Sequence, residues 1–257
     1  MITLTGVIND LQWPWFDPYS VELVLQAYED VGIDRLVING DLIDFPNLST
    51  HSARDPELKI ILKDSLEWGR NFFVDLRKRF PRAEIIYKLG NHDQRFERFI
   101  MRDCAILWNI LTLEKELQLE SQNIIWTPYN EKTRLEKTNL YFMHSPPSYG
   151  KSGSMTSLER KMDASYMYAC THRVQHSCKT GDSGEIYHCW FNGWLGSTDL
   201  TPEHKRGYNW TKGHDNWQQC AGLIAVEDEK TFHVQQSMIH KKGKKRSISF
   251  NGVIYEN

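Results

Sequence analysis

Three short apolar runs, each ending in polar residues and separated by helical patterns, constrain this chain more than any other feature. Residues 2–8 alternate Ile2, Leu4, Gly6 and Ile8 with Thr3, Thr5 and Val7, and stop at Asn9-Asp10. Arg35–Asn39 reads as a buried strand and runs into Gly40-Asp41-Leu42-Ile43-Asp44. Residues 83–89 form a third such run and end in Gly90-Asn91-His92-Asp93. Between the first two, Asp17 is placed to cap a helix whose first residue is Pro18. That helix sets Val21, Val24, Tyr28 and Val31 on one face, and Gly32 is its stop. Between the second and third, residues 56–80 repeat apolar side chains with a period of about 3.6, and Pro81 closes the segment. Strands alternating with covering helices predict an α/β fold with a largely parallel sheet. Ligands of such sheets bind beyond the carboxyl ends of the strands.

The chemistry is expected at those ends. Glycine permits a tight exit from a strand, and the aspartate that follows Gly40 lands at the strand tip. A carboxylate there can bridge two metal ions; its bland alternative is a turn or cap residue. Further along, residues 140–144 form a short strand ending in His144, and residues 165–170 lead into Cys170-Thr171-His172. Five strand ends thus carry donors: Asp10 with Gln12, Asp41, Asn91 with His92, His144, and Cys170 with His172. Mixed oxygen, imidazole and thiolate donors suit a pair of divalent ions such as Mn, Fe, Zn or Ni.

The remainder is expected to be helical over 94–120, in two amphipathic runs, 94–101 and 106–119. Residues 145–154 are rich in Pro, Gly and Ser and read as a loop. From 175 onward the pattern is short strands, at 186–191, 221–227, 232–239 and 247–255. A formal charge of -2 does not favour nucleic acid, although residues 241–246 carry five cations in six positions. That run reads as a solvated hairpin, with a nucleic-acid patch as its rival. Trp190, Trp194, Trp210 and Trp217 read as core, with a base-stacking surface as the rival. Five cysteines without close pairing argue against a disulfide framework, and Cys178, Cys189 and Cys220 read as buried free thiols. His51, His176, His188, His204 and His214 receive no role, and Gly213-His214-Asp215-Asn216 reads as a polar turn. No apolar run approaches the ~20 residues of a membrane span, and no signal-peptide pattern opens the chain. A cytoplasmic protein is expected, in the host cytoplasm if the chain is phage-encoded.

The motifs Asp10-Leu11-Gln12, Gly40-Asp41-Leu42-Ile43-Asp44, Gly90-Asn91-His92-Asp93, His144 and Ala169-Cys170-Thr171-His172 together resemble the calcineurin-like metallophosphoesterase superfamily, in a phage or bacterial type of member. The resemblance spans residues 1–172. It implies one domain over 1–257, of two packed mixed β-sheets flanked by helices in four layers, with about 175–257 supplying a β-rich second sheet. It also implies roles. Asp41 would bridge two divalent metals. Asp10, His172 and Gln12 would serve the first; Asn91, His144 and Cys170 would serve the second. His92 would assist the leaving group, Asp93 would orient His92, and Asp44 would support the ligands from behind. Arg95 and Arg173 are candidates for a phosphate oxygen, with a structural or surface role as the alternative.

Gln12 and Cys170 stand where the family has histidine. An amide oxygen coordinates more weakly than imidazole, and a thiolate favours Zn or Fe. The implied reaction is hydrolysis of a phosphate mono- or diester by a metal-bridging hydroxide. The alternatives are a metal-dependent nuclease acting on DNA or RNA, and a binding protein on a catalytically degenerate phosphoesterase fold. The sequence leaves substrate, metal identity and oligomeric state open.

Overall fold

A computed structural model describes residues 2–50, 62–147, 162–197 and 216–257. Several expectations fall outside these residues: positions 56–61 of the long helix, 148–154 of the loop, His51, His204, Trp210, and Gly213, His214 and Asp215 of the turn.

The first sheet is built as the strand ends predicted. β1 (Thr3–Ile8), β2 (Arg35–Asn39), β3 (Glu84–Lys88) and β4 (Ile124–Thr127) run parallel. Between them lie α1 (Pro18–Val31), α2, described over Leu62–Arg79, α3 (Gln94–Asp103) and the single-turn α4 (Leu113–Glu116). Asp17 caps α1 by accepting from the Tyr19 and Ser20 amides, and Gly32 ends it in a left-handed conformation. Period-two alternation divides each strand between two cores. Leu36, Ile38, Ile85 and Tyr87 face the helices and pack with Val24, Phe73, Leu76 and Phe96. Val7, Val37 and Ile86 face the opposite way, into a second core. Burying a side chain such as Phe73 completely contributes about 1.5–3 kcal/mol.

The second sheet closes that second core. It has the order β5 (Thr133–Arg134), β6 (Leu140–Met143), β7 (Ser165–Tyr168), β9 (Ile186–Asn192), β8 (Val174–Thr180). Leu140, Phe142, Met167 and Trp190 project from it against the first sheet. Strands β6, β7 and β9 run parallel, and β5 and β8 are antiparallel edges. Two packed mixed sheets flanked by helices are therefore present. Among the described residues, of these two sheets it is the first that the helices flank.

Residues 175–257 do not supply the second sheet by themselves: they give it β8 and β9, and the rest goes elsewhere. β10 (Cys220–Val226) pairs antiparallel with β1, and β11 (Phe232–Met238) pairs with β10, so both extend the first sheet. β12 (His240–Lys242), β13 (Lys245–Phe250) and β14 (Val253–Glu256) form a small third sheet against α1. The expected strand over 247–255 is a hairpin, because Asn251 and Gly252 both take positive φ and turn the chain. The expected helical run over 106–119 is broken by Asn109, at φ 70°, and reduces to a 3-10 turn and α4. β5 is too short and β8 too polar to read as strands, while β4 carries an apolar strand pattern that the expected strands omit. Cys178, expected to be buried, is exposed on the edge strand β8. Among the described residues no helix is long and apolar enough to cross a membrane.

The basic run is also changed. Arg246 is buried and donates from Nε and Nη2 to Asp17 Oδ2, at 2.9 and 2.7 Å. One of its five cations is thus internal, tying the third sheet to the cap of α1. Trp190 and Trp194 are buried, as core packing requires.

Candidate metal centre

Parallel strands from both sheets end in one place. The tips of β1, β2 and β3 bring Asp10 and Gln12, Asp41, and Asn91 and His92; the tips of β6 and β7 bring His144, Cys170 and His172. Asp10, Gln12, Asp41, Cys170 and His172 all adopt positive φ. Non-glycine residues accept that backbone rarely and at a cost of about 1–3 kcal/mol, and it aims these side chains off the strand tips.

Space at the centre is made by two glycines. A Cβ on Gly40, at φ +87°, would lie 2.2 Å from His144 Nδ1, and one on Gly90 would lie 2.1 Å from Asp41 Oδ1. The Gly in each motif therefore admits the neighbouring donor.

Asp41 is the junction. Its Oδ1 accepts the His92 amide at 2.8 Å. Its Oδ2 lies 3.1 Å from His144 Nε2 and 3.4 Å from Gln12 Nε2. On one side, His144 Nε2 and the Cys170 sulfur stand 3.1 and 3.3 Å from Asn91 Oδ1. On the other, His172 Nε2 is 3.2 Å from Asp10 Oδ1 and 3.4 Å from Gln12 Nε2. Ligand atoms of Asp10, Asp41 and His144 all lie within 4.8 Å of one another, and all three residues are buried.

The hydrogen-bond inventory of this cluster leaves acceptors that a cation or a proton would satisfy. His144 Nδ1 is 2.8 Å from the Asn39 carbonyl, which only accepts, so Nδ1 carries the proton and the neutral ring turns a lone pair toward Asp41 and Asn91. Asp10 Oδ1 and Gln12 Oε1 are buried and accept no hydrogen bond. A half-turn of the Gln12 amide would exchange Nε2 for Oε1 at the same place without changing shape. These donors could hold a metal ion. With the protein alone, protons balance the charge. Burial opposes a charged His144, but the Asp41 and Asp10 carboxylates raise its pKa well above the usual imidazole range. Burial likewise opposes ionised Asp41, but the His144 and His92 rings hold its pKa below the usual carboxylate range.

His92 lies at the rim of this cluster, its Nε2 3.8 Å from Asp41 Oδ2. Its Nδ1 is bonded to Asp44 Oδ1. Asp44 also accepts from Arg95 Nη1 at 3.2 Å and from Trp15 Nε1 at 3.0 Å. Arg95 Nη2 stands 3.4 Å from His92 Nε2, at the mouth of the cluster. Burial lowers the His92 pKa, but Asp41 and Asp44 together raise it above the imidazole value.

Asp93 does not orient His92. Its carboxylate accepts the backbone amides of Gly90 at 2.8 Å, Ile43 at 3.0 Å and Leu42 at 3.4 Å. It clamps the loop after Asp41 to the loop after β3. The reason is direction: the Asp93 carboxylate points to the Gly90, Leu42 and Ile43 amides, whereas Asp44 approaches the imidazole from the β2 loop. Arg173 adjoins His172, and its carbonyl accepts from Gly193; no side-chain hydrogen bond or ion pair among the described residues ties its guanidinium to the cluster.

Several supporting residues escaped the sequence reading. Asn9 donates to Asp10 Oδ2 at 2.8 Å and accepts from Asn192 at 2.9 Å. The His172 ring stacks on Trp194 at 4.9 Å and meets Trp217 edge-on at 4.4 Å. Adjacency to Asp10 was the one signal for Asn9; Trp15, Asn192 and Trp194 had none, because their partners are remote in sequence.

No protein-family model matches the chain. It is 32% identical over 91 residues to the gene 54 protein of Mycobacterium phage L5, a stretch that is 35% of each chain. The chain thus matches only about a third of the length of that curated relative. Among solved structures, vacuolar protein sorting 29 from Cryptosporidium parvum is similar with a TM-score of 0.48 and 13% identity, over 100% of this chain and 98% of that one. Yfce, a phosphoesterase from E. coli, is similar with a TM-score of 0.41 and 13% identity, over 91% and 98% of the two chains. Likenesses at this level carry no functional assignment.

Proposed function

We propose that this chain is a metal-dependent phosphoesterase of the calcineurin-like, phage type, with two divalent ions held at the strand tips. The observation that carries the reading is Asp41, whose buried carboxylate lies between two donor sets. Asp10, Gln12 and His172 would hold one ion; Asn91, His144 and Cys170 would hold the other, and Asp41 would serve both. Bound there, the ions would supply positive charge to polarise a phosphoryl group and make water a better nucleophile near neutral pH.

The protein's own groups have separate tasks. Asp44 holds His92 through Nδ1, which leaves Nε2 facing the cluster. That nitrogen is the one placed to pass a proton to the departing oxygen. Arg95, anchored on the Asp44 carbonyl at 2.6 Å, presents its remaining N–H groups near His92 for a phosphate oxygen. Gln12 and Cys170 make the two ion seats unlike, the second softer.

The test is hydrolysis of an aryl phosphate monoester and its diester by protein loaded with Mn, Fe, Zn or Ni, beside Asp41→Asn and His92→Ala. Turnover that both substitutions abolish supports the reading. Metal uptake without turnover of either ester, or of single-stranded DNA, would leave the binding protein on a degenerate fold. The inward turn of Arg246 and the charge of -2 weaken the nuclease alternative.

A further inference from the structure

Building on the phosphoesterase reading, we propose that the cavity beside His172 seats the base of a nucleoside, so that the ester hydrolysed at the strand tips is a nucleoside phosphate. His172 turns its Nε2 edge to the cluster, 3.2 Å from Asp10 Oδ1. Elsewhere its ring meets two indoles. It stacks on Trp194 at 4.9 Å and meets Trp217 at 4.4 Å, nearly at right angles. The indoles also touch each other, at 4.9 Å. Both line a cavity of about 270 Å³, together with Met238, Ile239, His240 and Lys241. The cavity therefore begins one ring away from the ion seat that His172 would serve.

The lining suits a flat ring. Trp194 is buried, but Trp217 is half-buried and Met238 is exposed, so both offer surface to a guest. Indoles and thioethers both hold aromatic rings. Gly196 admits the Trp194 ring, since a Cβ there would lie 2.1 Å from Trp194 Cζ3. The volume is at the small end of ligand sites, room for one ring system and not for a run of bases. His240 and Lys241 bring the basic run to the rim, which disfavours a cationic guest; the nearby Asp17 carboxylate is already paired with Arg246. Two glutamines complete the wall, and the protein engages both. Gln219 Nε2 donates to Asp17 and to the Gly196 carbonyl, and its Oε1 accepts from Ser20. Gln218 accepts the Val174 amide and donates to Asn216. The guest is therefore held by its face and not by its edge, and purines and pyrimidines both fit.

Reach favours a nucleoside over a phenol. The ring of an aryl phosphate is bonded directly to the ester oxygen. With its phosphorus at the strand tips, that ring stops short of a cavity set off by the His172 imidazole. A nucleoside carries a sugar between the ester oxygen and the base, and that spacer reaches past the imidazole. The reaction is otherwise unchanged: water forms the new P–O bond, the ester P–O bond breaks, and the ester oxygen leaves with a proton as the hydroxyl of the nucleoside.

The test separates binding from turnover. Saturation-transfer NMR on protein supplied with zinc would use adenosine, uridine and tyrosine amide as probes. Base protons of both nucleosides should receive saturation. Their affinity should fall at least about tenfold in Trp217→Ala and stay within about threefold in Trp217→Phe, which keeps a ring. Trp108→Ala, which removes an indole outside the cavity, should leave it unchanged. Circular dichroism verifies folding. In turnover assays, the kcat/KM ratio of a nucleoside monophosphate to glycerol phosphate should fall at least about tenfold in Trp217→Ala. Absent saturation, nucleoside affinity unaltered in Trp217→Ala, or tighter binding of tyrosine amide than of either nucleoside would overturn the proposal. Aryl phosphate turnover would in that case still uphold the phosphoesterase reading. Nucleoside binding that depends on Trp217, with no turnover of any ester, would instead uphold the seat and overturn that reading.

Discussion

Asp44, and not Asp93, bonds the Nδ1 atom of His92. The last carboxylates of two motifs therefore do different work: Asp44 orients a ring, and Asp93 fastens two loops. Asp44→Asn should lower turnover about 10–100-fold, the usual range for losing the partner of a site histidine. It should also move the limb of the pH–rate profile assigned to His92 to lower pH, since a charge that raises the pKa of His92 is gone. The metal equivalents should stay unchanged. An unaltered profile in Asp44→Asn would count against this assignment.

Asp93→Asn should act on stability instead. Its carboxylate accepts three backbone amides, and hydrogen bonds to a charged group contribute about 1.5–3 kcal/mol each. An amide can accept on one atom only, so a loss of about 3 kcal/mol is expected in urea unfolding. The pH limb assigned to His92 should not move.

Gly40→Ala should empty the centre without replacing a ligand. The new methyl would meet His144 Nδ1 at 2.2 Å in a backbone conformation that disfavours alanine. Overpacking of this kind costs about 1–3 kcal/mol, and the left-handed backbone adds about 1–2 kcal/mol. Metal content measured on purified protein should fall together with the melting temperature. Gly32→Ala is the control: its Cβ meets nothing within 4 Å, so it carries only the backbone term.

The Asp17–Arg246 pair predicts a pH effect on stability. Burial raises the Asp17 pKa, but hydrogen bonds from Arg246 and Gln219 outweigh it and hold the folded value below 3.8. A carboxylate depressed on folding contributes stability that is fully present above its unfolded pKa, about 3.9. That contribution is lost as pH falls through the folded value. Asp17→Asn should cost about 3–5 kcal/mol at pH 7, because Arg246 is left buried with a neutral partner. The gap between wild type and variant, read from urea titrations, should narrow as pH drops below about 4. A gap that stays constant from pH 7 to pH 3 would rule out an ionic role.

The legible part of the fold was its local part. The cap at Asp17 and Pro18, the stop at Gly32 and strand Arg35–Asn39 lie where the residue pattern puts them, since each depends on neighbours a few positions away. The destination of the late strands was not legible. Cys220–Val226 is uniformly apolar, and such a strand fits either sheet; its pairing with β1 rests on a partner more than 200 residues earlier. The hairpin at Asn251-Gly252 carried a local turn signal that an apolar reading of 247–255 passed over.

At the candidate centre the same boundary holds. The sequence by itself determined which donors exist and that each follows a strand, because Gly-Asp and Gly-Asn exits are local backbone chemistry. Only the tertiary structure decided which carboxylate meets which imidazole, that Gln12 Oε1 and Asp10 Oδ1 are buried without a hydrogen bond, and that Arg246 turns inward. Those outcomes depend on approach direction and on the packing of two sheets. Residues 29 to 160 positions apart meet there within hydrogen-bond distance, and no short-range pattern encodes such a distance.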